Sequence, residues 1–464
     1  MAEPRRDGAD LIVVGASVSG LTAAVLAADR GCRVVVLERA KELGGGALHE
    51  AEVIAAAPTR FQREAGIEDT AERLADDILG ATHHHVEADL VRALAAESGT
   101  LVEWLADRGA VPMALIADHT PQGMTALCLH APAEAGAGLV AGLARAAARN
   151  QRVSVRTGMT VDQLLRGADG ALTGVSARIG RRTEQVHGSR VLLAGGGFAA
   201  DDELVRAHCP AVAALPYLGP SGATGDCLRL GTGAGGATRR MASCQVTPFL
   251  AQPGPLVVAA PLAKLGAILV NQAGRRFADE TDESLTLATA VRAQPGRVAY
   301  LIFDDGVAAA GRRTDPFFAR TVLPRTSRRA STLADLAKQF EVDAEALALT
   351  VDTYNGNLEL GGDPFGRERS GQALEAPFHA IRVTGARRAT RGGLAVDTAG
   401  HVLDAAGQPI PTLFAAGGVA AGLGGEGTEG ALPGVDALAA LALARLVALA
   451  VATDVSAAKT VAPE

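Results

Sequence analysis

The residues best suited to chemistry form one hexapeptide, Gly15-Ala16-Ser17-Val18-Ser19-Gly20. It follows the short apolar run 11–14 and opens a stretch of helical composition, 21–30. A second β-branched run, 33–37, ends at Glu38. The order predicts strand, tight turn, helix, strand. Gly15 permits a sharp exit from the strand, and Gly20 lets the helix pack closely on the sheet. Ser17 stands where a middle glycine is usual; it still admits a phosphate to the backbone and adds a hydroxyl donor. The N–H groups and positive dipole end of the helix suit a pyrophosphate. Glu38 is placed to accept the ribose hydroxyls of an adenosine. The chemistry expected is dinucleotide binding.

Other candidates are less ordered. His83-His84-His85 lies in a predicted break between helices, where three consecutive imidazoles cannot all face one metal, so a loop is expected and no metal site. His119 and His130 lie in loops, and each is either an acid or a packed, satisfied imidazole. Arg387, Arg388 and Arg391 cluster before a glycine pair. Only Lys41, Lys264, Lys338 and Lys459 are lysines among 44 basic residues, so arginine clusters partly reflect composition. Cys32, Cys128, Cys209, Cys227 and Cys244 are scattered, without CxxC or zinc spacing, which fits a reducing, cytoplasmic compartment.

The elements that must position these residues are an α/β set. A chain of 464 residues is long for one core, and 48% hydrophobic with 20% charged residues reads as globular. A net charge of −7, with no basic tract interleaved with aromatics, argues against nucleic acid as partner. Helices are expected over 69–94 with a break at 80–85, over 98–107, over 135–150 and over 344–357. Strands are expected at 153–155, 161–165, 174–179, 190–194, 267–270 and 298–303, and a last parallel strand at 413–416. The apolar tail 437–452 reads as a buried core helix, too short to span a bilayer. A composition shift divides the chain into 1–240, an inserted domain 241–384, and 385–464.

Taken in order, further motifs resemble one flavoprotein superfamily: fumarate reductase, succinate dehydrogenase and 3-ketosteroid Δ1-dehydrogenase. They are Gly44-Gly45-Gly46, Ala194-Gly195-Gly196-Gly197-Phe198, Thr224-Gly225-Asp226 and Ile268-Leu269-Val270-Asn271 with Arg276-Phe277. Tyr354-Asn355, Asp363-Pro364-Phe365-Gly366-Arg367, Gly392-Gly393 and Ala416-Gly417 complete the series. The resemblance implies a Rossmann-like, glutathione-reductase-type FAD domain with a parallel sheet and an inserted α+β cap. By position, Gly15, Ala16, Ser17, Ser19 and Gly20 would hold the pyrophosphate of FAD. Glu38 would hold the ribose, with Arg39 and Val161 near the adenine. Gly44, Gly45, Gly46 and Ala47 would approach the flavin. Ala194, Gly195, Asp226, Gly417 and Gly418 would complete the wall. Gly434, Ala437 and Leu438, at the head of the last helix, would face the flavin N1–C2=O edge.

Departures from the family matter as much. Ala389 stands where fumarate reductases place a carboxylate-binding histidine. No arginine follows Arg276-Phe277-Ala278-Asp279-Glu280, and the loop 422–431 carries Glu426 and Glu429 instead of an arginine. The cationic clamp for a dicarboxylate is therefore missing. The ketosteroid branch's loop tyrosine is replaced by Gly430, and Tyr354 reads as structural. The resemblance implies an FAD-dependent oxidoreductase acting on a CH–CH or C=C bond beside a carbonyl or carboxylate of a small molecule, the site lying between FAD domain and cap. Arg391, His130, Glu429 and His49 are the candidate catalytic groups, His49 also for covalent flavin attachment. An external electron donor or acceptor is expected, and no membrane partner. The alternatives are an FAD protein without turnover and a flavin oxidase or monooxygenase.

Overall fold

The computed structural model describes residues 8–46, 53–116, 120, 123–168, 170–258, 261–282, 284–315, 317–360, 362–367, 372–425, 427, 430 and 432–461. Ala47, His49, His119, Glu426 and Glu429 lie outside these residues. The chain divides into two compact units.

The first unit comprises Met1–Pro210, Gly219–Gln245 and Ala389–Glu464. Its centre is a six-stranded sheet of β1 (Leu11–Val14), β2 (Val34–Glu38), β3 (Val153–Thr157), β4 (Val191–Leu193), β5 (His401–Leu403) and β6 (Pro409–Ala415). The spatial order is β5-β6-β4-β1-β2-β3. All pairings are parallel except β5 with β6. β1 and β4 are completely buried, as expected for central parallel strands covered on both faces. Helix α1 (Val18–Asp29) packs against the last helix, α3 (Val435–Val461), which in turn packs on α2 (Ala88–Asp107). A three-stranded antiparallel ribbon, 160–187, and a small sheet joining Ile54–Ala55, Leu129–Pro132 and Met113–Leu115 complete the unit.

Three expectations change here. The separate helix at 98–107 is the second half of α2. Ser98 and Gly99 sit in its middle because they dock on the chain beneath: a Cβ on Gly99 would lie 2.0 Å from the Pro58 carbonyl oxygen. Ser98 Oγ accepts from Ala57 N at 3.0 Å. The ribbon has a third strand, Arg182–His187, mostly exposed and without an apolar alternation to announce it. The last helix runs 27 residues, long and apolar enough to cross a membrane by length and composition; 61% of its apolar window is buried. Its Arg445 pairs with Glu97 of α2 at 2.5 Å.

The second unit comprises Ala211–Leu218 and Val246–Arg388. Segment 211–218, read from sequence as part of the first domain, belongs here because its backbone pairs with the end of the second unit. Arg387 N donates to Pro216 O at 2.9 Å and Leu218 N to Arg387 O at 2.8 Å. The unit is built on an antiparallel sheet in which Ala299–Asp304 pairs with Ile268–Val270 and Phe378–Thr390. Beside it lies a buried ionic knot. Arg276 reaches Glu280 at 2.8 Å and Asp363 at 2.6 Å, and Arg367 reaches Glu280 at 2.5 Å. Both guanidiniums lie over the buried Tyr354 ring, 5.6 and 5.2 Å from its centre. Asn355 exchanges two hydrogen bonds with Leu374. Tyr354 and the two arginine motifs are thus structural.

Candidate functional site

The chemistry concentrates at the carboxyl ends of β1, β2 and β4 and at the head of α3. Gly15 has φ +107°, and a Cβ there would lie 2.8 Å from Ala194 O. Gly20 has a different reason: a Cβ would come within 2.1 Å of Gly15 O, so only hydrogen fits between helix and turn. Ser17 caps α1, accepting from Gly20 N at 3.2 Å. Its hydroxyl proton goes to Ala194 O at 2.7 Å, and Ser19 Oγ lies 2.8 Å away. This corrects the expectation of a hydroxyl for phosphate. The Ser17 side chain is used up tying the turn to the end of β4, which leaves backbone N–H groups and the helix dipole for an anion.

Glu38 accepts from Ala16 N and Ala40 N, each at 2.8 Å, so both oxygens are pinned. An ionised carboxylate has about four lone-pair sites, so acceptor capacity remains for a diol. Arg39 Nη1 reaches Asp226 at 2.5 Å and Thr224 Oγ1 at 3.1 Å, joining two candidate cofactor residues into one clasp. Met159 N donates to Glu38 O at 2.8 Å, which sets Val161 beside the end of β2. Gly44 N donates to Ala16 O at 2.8 Å, and a Cβ on Gly44 would lie 2.5 Å from Val140. Gly45 has φ +53° and open space where its Cβ would be, so Gly44 and Gly45 shape a thin, backbone-only wall; Gly46 follows in the same turn.

Other strand ends close on the same place. A Cβ on Gly195 would lie 2.6 Å from Cys227 Sγ. One on Gly417 would lie 2.4 Å from Ser19 Oγ, and one on Gly418 would lie 2.8 Å from Gly197 N. Gly434 O accepts from Ala55 N at 3.2 Å and from Leu438 N at 3.0 Å, so the head of α3 is fixed on the small sheet. Leu438 is buried and Ala437 half-buried. Close packing of the chain on itself requires glycine at 15, 20, 44, 195, 417 and 418, while the open space over Gly45 has room for a flat ring system.

Residues 10–431 match the sequence profile described as FAD binding domain. The chain belongs to this FAD-binding family. FAD is its cofactor, and its fold is the family's α/β fold. It is 32% identical over 423 residues to NADH:fumarate oxidoreductase of Klebsiella pneumoniae, covering 90% of this chain and 45% of that protein. It is 32% identical over 440 residues to fumarate reductase (cytochrome) of Shewanella frigidimarina, covering 93% and 75%. A flavocytochrome c3 fumarate reductase in an open conformation shares the fold, with TM-score 0.83 at 24% identity, over 97% of this chain and 78% of that one. The chain thus spans less than half of the first relative and three quarters of the second.

Of the catalytic candidates among the described residues, His130 is corrected. It is fully buried on Leu129–Pro132, edge-on to Phe61 at 5.7 Å. Nδ1 lies 3.0 Å from Cys128 O, an acceptor only, so Nδ1 carries the proton. Thr59 Oγ then donates to Nε2 at 2.9 Å. Burial pushes its pKa down to about 4, against the hydrogen bonds that support the charged form. His130 is a neutral strut, not a proton donor. The signal missed was Thr59-x-x-Gln62, a capping box whose Gln62 also holds Leu127 O and Asp69.

Arg391 is where the sequence pointed, with a partner it did not show. Its Nε lies 3.1 and 3.0 Å from the two Asp436 oxygens and its Nη2 2.9 Å from one of them, in the first turn of α3. Only 6% of Arg391 is exposed. Its backbone N donates to Ser243 O at 2.8 Å. Neighbouring Thr390 Oγ1 accepts from Phe198 N at 3.0 Å, anchoring this strand to the end of β4. Ser243 Oγ holds Gly425 O at 2.7 Å, and Arg240 holds Gly422 O at 2.8 Å and Glu87 at 2.6 Å. Burial opposes ionisation of Glu87, but Arg240 and Arg239 outweigh it and hold the carboxyl below its usual range. These groups fix the described part of the glycine loop before α3. Asp436 could have been found from sequence as an acid in the first turn of a helix.

Proposed function

We propose that this protein is an FAD-dependent oxidoreductase that reduces or introduces a C=C bond next to a carbonyl in a small molecule. One observation carries the reading: the pyrophosphate turn 15–20 and the head of α3 belong to two helices packed on each other in one unit. They are therefore positioned to take the two ends of one extended FAD. When bound, FAD would supply hydride-transfer chemistry, and the head of α3 would favour negative charge on its pyrimidine edge. Ser19, in the first turn of α1, would bind the pyrophosphate through its backbone N–H, with Gly15, Ala16 and Gly20 shaping the turn; Glu38 would hold the ribose, and Gly44 to Gly46 the ring system. Gly434, Ala437 and Leu438 would hold the pyrimidine edge. The substitutions Ala389 for histidine and Gly430 for tyrosine favour neither a dicarboxylate nor the ketosteroid arrangement. Electrons would enter or leave through an external partner.

The test is purification followed by anaerobic reduction. The protein should carry FAD, and its reduced form should regain the oxidised visible spectrum when a neutral enone is added. A colourless preparation that takes up no FAD on soaking ends the reading. A second reading, a flavin protein without turnover, is favoured by the missing family clamp; it predicts bound FAD whose oxidation state no enone, ketone or acid changes.

A further inference from the structure

We infer that Arg391 donates a hydrogen bond to an uncharged carbonyl oxygen of the substrate, its own charge being already cancelled by Asp436. The inference rests on the proposed oxidoreductase reading and narrows it to neutral enones and the corresponding saturated ketones. The first observation is a bare donor. Nε and Nη2 of Arg391 are taken by Asp436, while Nη1 is buried and has no acceptor among the described residues. Leaving a buried charged donor unpaired is costly, so such a group calls for a ligand. The second is rigidity. A Cβ on Gly424 would lie 2.2 Å from Arg391 Cδ, so the side chain lies directly under the glycine loop. Backbone bonds to Ser243 O and from Gly422 N, each 2.8 Å, hold both sides of the residue. The donor cannot swing away to find another partner.

The third is a charge count. Arg391 and Asp436 sum to zero at the head of α3. A substrate carboxylate would place a second anion on one guanidinium, against Asp436. A carbonyl oxygen brings no charge until reaction. Two other arginines of the neighbourhood pair elsewhere: Arg240 with Glu87 and Gly422 O, and Arg387 with the Ala213 and Leu215 carbonyls. Hydride added to the β carbon of an enone moves an electron pair onto the carbonyl oxygen. Nη1 would stabilise that charge, as an oxyanion donor does, with the helix head reinforcing it. The α carbon then takes a proton from water, so one hydride and one proton complete the two new C–H bonds.

The test uses FAD-loaded wild-type, Arg391→Met, Arg391→Lys and Asp436→Asn proteins, titrated with cyclohex-2-en-1-one, crotonate and fumarate. Perturbation of the flavin spectrum reports affinity, and the flavin reduction potential is measured in parallel. Wild type should bind the enone at least about tenfold more tightly than crotonate. Arg391→Met should lose about tenfold of enone affinity, or more, at unchanged potential, with Arg391→Lys between the two. Asp436→Asn should gain about tenfold for crotonate and little for the enone. If Arg391→Met does not fold, the Lys and Asn variants carry the comparison. Wild-type preference for crotonate or fumarate, or no perturbation by any probe, overturns the inference. So does a potential shifted in Arg391→Met at unchanged enone affinity, which would assign Nη1 to the flavin, or no crotonate gain in Asp436→Asn. Binding in the expected order without turnover defeats the oxidoreductase reading but leaves this assignment standing. Turnover with affinities indifferent to Arg391 does the reverse.

Discussion

Single residues here act through what they exclude as much as through what they touch. Gly20 is the clearest case, since its missing Cβ would sit 2.1 Å from a backbone oxygen that cannot move without breaking the turn. Gly20→Ala should destabilise the protein by about 3 kcal/mol and strip it of FAD, read by thermal unfolding and flavin content. His130 makes a pH prediction. Its pKa is about 4 in the folded protein and near 6.5 unfolded, so below 6.5 the unfolded chain takes up a proton that the native state refuses. Stability should therefore fall as pH drops from about 6.5 towards 4, by up to about 3 kcal/mol, and this contribution should be level above that window. Urea unfolding of wild type against His130→Asn across this range measures it. An equal slope in both proteins would sink the assignment of His130 as a neutral strut.

At the level of elements, α2 shows how a helix can run through residues that suggest a break. Ser-Gly in its middle lowers intrinsic helicity, yet both residues are selected by docking on the 57–58 backbone. Ser98 Oγ accepts from Ala57 N at 3.0 Å in a fully buried place, and its one proton lies between Ala95 O at 2.7 Å and Ala57 O at 3.0 Å. Ser98→Ala leaves the buried Ala57 N–H without its acceptor and should cost about 2 kcal/mol in chemical denaturation. The last helix makes the complementary point. Its apolar residues satisfy a length test for membrane spanning, but α1 and α2 cover much of that surface. An all-round apolar helix is what a core position between two others demands.

Across the whole molecule, the two units divide the family's motifs between them. The glycine turns, Glu38 and the head of α3 lie in the first, whereas the Arg-Phe-x-x-Glu and Asp-Pro-Phe-Gly-Arg motifs build the ionic knot of the second. Glu280→Gln removes the carboxylate shared by two buried guanidiniums and leaves Asp363 on Arg276. It should destabilise the second unit by about 3–5 kcal/mol, read as a lowered calorimetric transition and as new protease cuts within 246–388. Cuts confined to the first unit would refute this.

The α/β class, the dinucleotide turn and the FAD family could all be argued from the chain alone. Those features are local: a strand exit, a helix start and a terminal acid lie within 28 residues, and their spacing is dictated by backbone sterics. Partnerships across long sequence separations could not be read that way. Ser17 with Ala194, Arg39 with Asp226, Arg391 with Asp436 and His130 with Thr59 arise only when packing brings distant segments together. Whether a hydroxyl, imidazole or guanidinium is spent on the fold or left for a ligand depends on which neighbour reaches it first. That is a property of three-dimensional contact, which residue type and spacing do not carry.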